Sequence, residues 1–233
     1  YFTMQEQSKG AIFTRLYLIR HGQTEWNKEK KIQGSLDIPL NKRGLQQAKA
    51  VAQRMHAQYP FDLIISSPAE RALKTAEAIN AHSNFKIIVN PNLIEVDFGS
   101  LTNHTLDNLG PEQEEYIQKF NHFINTNFCS GTTRPDLPQG ETIAQIEKRI
   151  DVFINIVLSR YAGKKIAVVS HGSFLKCMLT VLCGGSVRDY IPYWFENASI
   201  SIIDLNGNFS VLRVLNKTNH LEQELGFVTP KIM

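Results

Sequence analysis

Short apolar segments alternate with longer amphipathic segments through the first ninety residues. Residues 16–19, 62–66 and 86–89 have the length and apolar character of strands. The stretches between them, 42–58 and 69–81, repeat apolar residues at helical spacing. Strands that alternate with helices favour a parallel sheet with helices on its faces. We therefore predict an α/β chain, a three-layer α/β/α sandwich with a mostly parallel central sheet.

The same pattern returns in the last third of the chain. Residues 142–161 are strongly amphipathic and predict a helix. A strand is predicted over 165–170 and a helix over 173–183. Asn206-Gly207 stands between two apolar runs, which predicts a β-hairpin at the end of the sheet.

Between these regular parts lies a segment of weaker periodicity. Within residues 93–140, helical spacing survives over 112–124, and prolines and glycines surround it. A long irregular insert in a compact domain is typical of a lid or a binding loop. We expect one domain over residues 1–233, with 1–14 as an N-terminal extension and 93–140 as an insert.

Two of the predicted strands end in the same dipeptide. Strand 16–19 runs into Arg20-His21-Gly22, and strand 165–170 runs into His171-Gly172. The carboxyl ends of parallel strands form one rim of a sheet, and ligands bind at that rim in α/β folds. Histidine can act there as nucleophile, acid, base or metal ligand. The sequence therefore predicts a site that contains both histidines.

Arginine and carboxylate side chains are expected at the same rim. Arg20 comes from the first strand, Arg71 from the helix after the second, and Glu95 and Asp97 from the start of the insert. A planar guanidinium matches two phosphate oxygens at once. A histidine can attack phosphorus, and a carboxylic acid can protonate the leaving alkoxide. The glycine amides after the two histidines could approach an oxyanion. This combination suits a phosphate ester.

Five sequence blocks follow one another in a fixed order. They are Arg20-His21-Gly22-Gln23-Thr24-Glu25-Trp26-Asn27, Gln33-Gly34, Pro39-Leu40-Asn41-Lys42-Arg43-Gly44, Ser66-Ser67-Pro68-Ala69-Glu70-Arg71-Ala72 and Ser170-His171-Gly172. In this order the blocks resemble the histidine phosphatase superfamily, the phosphoglycerate-mutase-like group. The resemblance covers residues 16 to about 221, and the tail 215–221 is similar to that of broad-specificity and alpha-ribazole-type phosphatases.

The resemblance implies a role for each matching residue. His21 is the expected nucleophile that becomes phosphohistidine, and Glu95 is the expected general acid and later the base that activates water. Arg20, Arg71 and His171 are expected to stabilise the phosphoryl group and its transition-state charge. No metal or cofactor is implied, because arginine and histidine supply the positive charge. The residues expected to contact the phosphate or substrate are Arg20, Asn27, Gln33, Gly34, Arg71, Glu95, His171 and Gly172.

The identity of the proton donor stays open at this point. Many members of the family carry an aromatic-acid-glycine triplet after Phe98-Gly99, where this chain has Ser100-Leu101-Thr102-Asn103. Asp97 is therefore an alternative to Glu95. We favour Glu95, because it keeps its offset from Phe98-Gly99.

The reaction has one main alternative. Mutases of the superfamily carry a longer insert with adjacent arginines that grip a substrate carboxylate, whereas this insert offers Lys119 and Arg134 and no arginine pair. Hydrolysis of a phosphomonoester is therefore favoured over a phosphoglycerate mutase reaction. A non-catalytic phosphate-binding module on the same fold is a further alternative. It is disfavoured, because the nucleophile His21 is present.

Composition restricts the partners. The net charge of +3 gives no reason to expect nucleic acid or a charged membrane surface. No apolar run approaches the roughly 18 residues of a membrane span, and residues 1–9 lack a signal-peptide core. Three cysteines without ligand spacing favour a reducing compartment. We expect a cytoplasmic protein with a small phosphorylated substrate, and an edge strand over 209–215 that could pair two copies into a homodimer.

The remaining histidines and the aromatic residues of the insert are expected outside the chemistry. We place His104 and His220 at the surface or at the rim of the substrate site. The aromatic side chains of the insert are more often core than pocket lining; they are Tyr116, Phe120, Phe123 and Phe128.

Overall fold

The computed structural model describes residues 13–81, 83–105, 107–126, 134–188, 193–207 and 209–221. Strands within these residues form one sheet: β1 (Thr14–Arg20), β2 (Leu63–Ser66), β3 (Ile88–Val89), β4 (Lys165–Ser170), β5 (Ile200–Asn206) and β6 (Phe209–Lys217). Their order across the sheet is β3-β2-β4-β1-β5-β6. The first four are mutually parallel, and β5 and β6 run antiparallel to their neighbours. The predicted α/β fold with a mostly parallel sheet is confirmed.

Helices cover the sheet close to the predicted positions. They are α1 (Glu25–Lys28), α2 (Lys42–Gln58), α3 (Glu70–Asn80), α4 (Pro111–Thr126), α5 (Ile143–Arg160) and α6 (Gly172–Leu182). Asn41 caps α2, because its side chain accepts from the Gly44 amide at 2.8 Å. Thr142 and Gln145 form a capping box at the start of α5. Short α1 was not predicted, and β1 begins at Thr14, two residues before the predicted strand.

The central strands bury both of their faces. Along β1, Leu16 and Leu18 point to one face and Tyr17 and Ile19 to the other, and all four are at most 1% exposed. The first pair packs with apolar residues of α5 and α6, and the second pair packs with α2 and α3. Two cores therefore enclose β1, which holds the end of that strand in a fixed position.

The two ends of the insert are joined to each other. The Glu141 amide donates to the Asp97 carbonyl at 2.9 Å, and the Ser100 amide donates to the Pro138 carbonyl at 3.0 Å. Within the insert, Tyr116 is buried in the core, and Phe120 packs against that core. The core interpretation is confirmed for these two rings. The Phe123 side chain and Phe128 lie outside the described residues, and a lid role for the insert stays a prediction.

No helix in the described part of the chain combines the length and the apolar character needed to cross a bilayer. Cys177 is a buried free thiol and Cys183 an exposed one, whereas Cys129 lies outside the described residues. β6 is an edge strand, as expected, and Phe209 is exposed on it. Pairing of two copies through this edge stays a prediction.

Candidate active site

The strand order brings both predicted histidines to one place. β4 lies beside β1, and the His21 amide donates to the Ser170 carbonyl at 2.9 Å, which extends the parallel ladder by one residue. The ring centroids of His21 and His171 are 5.1 Å apart. The carboxyl rim of the sheet therefore carries the pair side by side, in the setting where α/β folds bind ligands.

The surroundings of His21 fix its protonation. Its Nδ1 lies 2.6 Å from the Gly22 carbonyl oxygen, which can only accept, so Nδ1 carries the proton. Burial, and then the charges of Arg71 and Arg20, lower the pKa of His21 well below its usual value. The ring is therefore neutral near pH 7, with a lone pair on Nε2. This is the state that a nucleophilic imidazole requires.

His171 is held in the opposite tautomer. Arg71 Nε donates to His171 Nδ1 at 3.2 Å, so the proton lies on Nε2 and is donated to Ser67 Oγ at 2.7 Å. Burial, and then the Arg71 charge, lower the pKa of His171. Ser67, which we had not assigned a role, therefore orients this ring. Because His171 is fully buried and donates its Nε2 proton to Ser67, it can donate to a ligand only after these hydrogen bonds rearrange.

Arg71 is a buried cation held by loop carbonyls. Its guanidinium donates to the Leu36 carbonyl at 2.6 Å and to the Gly34 carbonyl at 3.0 Å. The Glu95 carboxylate and the exposed Asp37 carboxylate, which lies 3.8 Å away, oppose its charge only in part. Burial lowers the pKa of Arg71. A guanidinium stays protonated in proteins, so the site contains a positive charge that an anion would neutralise.

Arg20 is the second cation of the site. One terminal nitrogen donates to the Phe195 carbonyl at 2.5 Å, while the buried Nε has no partner within the described part of the chain. Buried polar atoms are nearly always hydrogen-bonded. Burial lowers the pKa of Arg20, and the Glu95 carboxylate acts in the other direction. The oxygen of a bound ligand would supply the missing acceptor for this donor.

The two acidic residues of the insert have different surroundings. The Glu95 carboxylate accepts from the amides of Val96, Phe174 and Ser173 at 2.9, 2.8 and 3.2 Å, at the start of α6. Asp97 is exposed, and its carboxylate accepts from the Gly99 amide at 2.9 Å. Glu95 lines the same cavity as His21, and Asp97 does not. The geometry therefore favours Glu95 as proton donor.

A cavity of about 190 Å³ connects these side chains. His171 lies just behind the wall, in contact with Arg71, and does not line the cavity itself. The predicted residues that line it are Arg20, His21, Asn27, Gln33, Gly34, Arg71, Glu95 and Gly172. Further lining residues, which sequence reasoning missed, include Lys31, Phe98, Ser173, Lys176, Trp194 and Phe195.

Asn27 presents its amide nitrogen to this cavity. Its Oδ1 already accepts from the Thr24 amide at 3.2 Å and from Asn197 Nδ2 at 3.1 Å. Asn197 also donates to the His21 carbonyl at 3.1 Å. The Asn27 NH₂ group is thereby oriented as a donor. Asn197 was missed because no local pattern marks a side chain that acts 170 residues away from its partner.

The comparison with known families shows which family this chain belongs to. Residues 16–218 match the model of the Histidine phosphatase superfamily (branch 1). The chain belongs to this superfamily. The resemblance drawn from the sequence blocks is confirmed, and the family is one of enzymes, which include phosphatases and mutases.

Proteins similar to this chain carry different names. A protein from Yersinia pestis (strain Pestoides F), named probable phosphoglycerate mutase GpmB, is 34% identical over 190 residues, covering 82% of this chain and 84% of the relative. A phosphoserine phosphatase mutant from Entamoeba histolytica, solved with phosphoserine, has a TM-score of 0.75 and 32% identity, covering 89% of this chain and 99% of its own. A putative alpha-ribazole-5'-P phosphatase from Escherichia coli K-12 has a TM-score of 0.73 and 28% identity, with coverages of 88% and 96%.

His220, which we had expected at the surface or at the rim of the substrate site, packs behind the strand end that carries His21. His220 is buried, and its Nε2 donates to the Ala198 carbonyl at 2.9 Å. Burial lowers the pKa of His220 to about 4. Ala198 has a positive φ of 57°, and its amide donates to the Arg20 carbonyl at 3.0 Å. The expectation of a surface or rim position was wrong, because tertiary packing buries a polar sequence segment.

His104 is half-buried and donates to the Asn108 carbonyl at 2.9 Å.

The side chains that line the cavity include four cations: Arg20, Lys31, Arg71 and Lys176. Among the described residues, no group of three or more His, Cys, Asp or Glu side chains is placed to hold a metal ion. Metal-independent chemistry stays a prediction. Arg20 and Arg71 are the groups that could neutralise a phosphate dianion here.

Proposed function

We propose that this protein hydrolyses phosphomonoesters of small metabolites through a phosphohistidine on His21. One observation carries the proposal. His21 donates its Nδ1 proton to the Gly22 carbonyl, so Nε2 keeps its lone pair at a cavity that Arg20 and Arg71 make positive. A neutral nucleophile beside two guanidinium groups is the arrangement that attack on a phosphate dianion needs.

In the first step, His21 Nε2 attacks phosphorus and the bond to the ester oxygen breaks. The electron pair of that bond leaves with the alcohol oxygen, which takes a proton from Glu95. Charge on the transferred phosphoryl oxygens is stabilised by the guanidinium groups of Arg20 and Arg71. The imidazole becomes cationic, and its hydrogen bond to the Gly22 carbonyl stabilises that cation.

In the second step, water attacks the phosphohistidine. Glu95, now a carboxylate, accepts a proton from that water, and the N–P bond breaks with its electron pair returning to Nε2. Inorganic phosphate and neutral His21 result. The backbone amides of Val96, Ser173 and Phe174 keep the carboxylate in place through both steps.

A mutase reaction is the second candidate, supported by the names of the Yersinia relatives. It would require the phosphohistidine to re-phosphorylate the bound product instead of water. Of the two cations in the insert, Lys119 is exposed and pairs with Glu115 at 2.6 Å, away from the cavity. The other cation, Arg134, lies 5.8 Å from the centre of the Phe120 ring and does not line the cavity either. The insert thus offers little to retain a second substrate group, which favours hydrolysis.

The test measures free phosphate and isomerised product together. A panel of small phosphomonoesters is incubated with the enzyme, together with 3-phosphoglycerate with and without its bisphosphate primer. Hydrolysis predicts phosphate release that ignores the primer. His21→Gln removes the nucleophile and should abolish release, whereas the matched His56→Gln variant changes an exposed histidine of α2 and should not. Isomerisation without phosphate release would establish the mutase, and turnover by His21→Gln would refute the phosphohistidine.

A further inference from the structure

Lys176 lines the cavity from helix α6. The helix begins at Gly172, which also lines the cavity. Lys176 lies four residues later on the same face, which is a rise of about 6 Å along the axis. Long side chains on helices lean toward the N-terminus. The Lys176 ammonium therefore extends over the cavity, where the alcohol part of an ester would lie.

The charge of the Glu95 carboxylate acts on the Lys176 ammonium and balances it only in part. Lys176 Nζ lies 5.1 Å from the centre of the Trp194 ring, and no described acidic residue forms an ion pair with it. Trp194 is itself fixed by a hydrogen bond from its Nε1 to the Glu196 carboxylate at 2.8 Å. Burial, and then the charge of Arg20, lower the pKa of Lys176. A partly desolvated cation of this kind is stabilised by an anion that enters the cavity.

Lys31, the other lysine of the cavity, differs from Lys176 because it has an ion-pair partner. Lys31 Nζ pairs with the Glu29 carboxylate at 2.9 Å and lies 5.7 Å from the centre of the Trp26 ring. Its charge is already compensated inside the protein. Lys176 is thus the cation that remains available to a ligand after Arg20 and Arg71 have taken the phosphate.

We propose that Lys176 determines substrate specificity by binding a carboxylate on the alcohol part of the substrate. The inference rests on the proposed phosphomonoester hydrolysis and names its substrate class: a short phosphorylated hydroxy acid. Gly172 and Lys176 are separated by about one helical turn along α6. This separation suits a substrate whose carboxylate lies a few bonds from the ester oxygen. A second phosphate in place of the carboxylate would bring two negative charges to one ammonium, in a cavity of about 190 Å³. A carboxylate carries one negative charge and therefore fits better.

The test compares two substrates that differ only in the group that Lys176 would bind. In glycerol 3-phosphate a hydroxymethyl group replaces the carboxylate of 3-phosphoglycerate. Wild-type enzyme should have a higher kcat/KM for 3-phosphoglycerate. Lys176→Met should lower the ratio of the two kcat/KM values by about tenfold to a hundredfold, the range for a charge-assisted hydrogen bond. Lys176→Arg should keep most of the ratio, and Lys49→Met, an exposed lysine on α2, should not change it.

The outcomes separate this proposal from the proposed function. A wild-type enzyme without the preference, or a Lys176→Met variant that loses the same factor on both substrates, would overturn the role of Lys176 while hydrolysis stands. Absence of any turnover, even of p-nitrophenyl phosphate, would instead refute the hydrolysis. In that case calorimetric binding of the two phosphates to the wild type and to Lys176→Met still measures the ratio, and an unchanged ratio of Kd values would overturn the inference.

Discussion

Exchange of Glu95 for glutamine preserves the shape of the proton donor and removes its proton. The carboxylate accepts three backbone hydrogen bonds, two on Oε1 and one on Oε2. Glutamine can offer one oxygen to Val96 and Phe174, but its NH₂ group would then face the Ser173 amide, which is also a donor. One buried donor loses its partner, at a cost of about 1–3 kcal/mol. That is less than the typical stability of a domain, about 5–15 kcal/mol, so Glu95→Gln should fold.

The catalytic effect should depend on the leaving group. With an alkyl phosphate, loss of the general acid should lower kcat by about 10²–10⁴-fold, which corresponds to about 3–5 kcal/mol of barrier. p-Nitrophenolate leaves without a proton, so phosphorylation of His21 should continue in Glu95→Gln. Attack of water still lacks its base. The variant should therefore release one p-nitrophenolate per active site in a burst and then turn over slowly.

Stopped-flow absorbance on p-nitrophenyl phosphate measures the burst, and rapid quench on an alkyl phosphate measures the other leaving group. Asp97→Asn is the matched control, because Asp97 is exposed and its carboxylate accepts from the Gly99 amide, outside the cavity that His21 lines. It should behave as wild type. The assignment of Glu95 fails if Glu95→Gln shows no burst and equal losses on both substrates, or if Asp97→Asn shows the burst instead.

Three further predictions concern the support of the site. The free energy of unfolding should fall as pH falls below about 6.5, because the unfolded chain binds protons that the buried histidines do not. In urea melts, His220→Gln should reduce the slope of this free energy against pH by up to about 1.4 kcal/mol per pH unit, between about pH 6.5 and the folded-state pKa of about 4. A slope equal to that of the wild type would contradict the prediction. Gly22→Ala should lose activity and thermal stability, since its Cβ would lie 2.4 Å from the Gly44 carbonyl oxygen; an unchanged melting temperature would show that the backbone adapts. Asn197→Ala should lower kcat about tenfold, roughly one lost hydrogen bond to an active group, with intact folding by circular dichroism, and wild-type kcat would show that Asn27 needs no such support.

Local sequence patterns were sufficient for most of the fold and for the centre of the site. Helix α2 lies where its apolar stripe and the Asn41 cap predict it, because both signals come from residues that are close together in the sequence. His21 and His171 follow strands, and the parallel topology alone brings such ends together. These inferences depend on short-range chemistry and on one general property of α/β sheets.

The parts that were missed depend on contacts between distant segments. Lys176 has the spacing of an ordinary helix residue, and only the packing of Trp194 against it reveals a desolvated cation. His220 follows polar neighbours, yet the end of the sheet buries it against Ala198. Helix α1 has four residues, which is too short for periodicity to show, although Thr24 and Asn27 form a capping box there.

The position of β1 between β4 and β5 also has a consequence for how the chain acquires its site. Arg15 pairs with Lys165, about 150 residues later, and the other neighbour of β1 follows later still. Closing so long a loop is entropically unfavourable, and contacts of this kind slow folding. During synthesis, the strand that carries His21 has no partner until β4 emerges from the ribosome. A chain that stalls before that point would expose an apolar strand with both backbone edges unpaired, so chaperones would meet an aggregation-prone segment rather than a partly active enzyme.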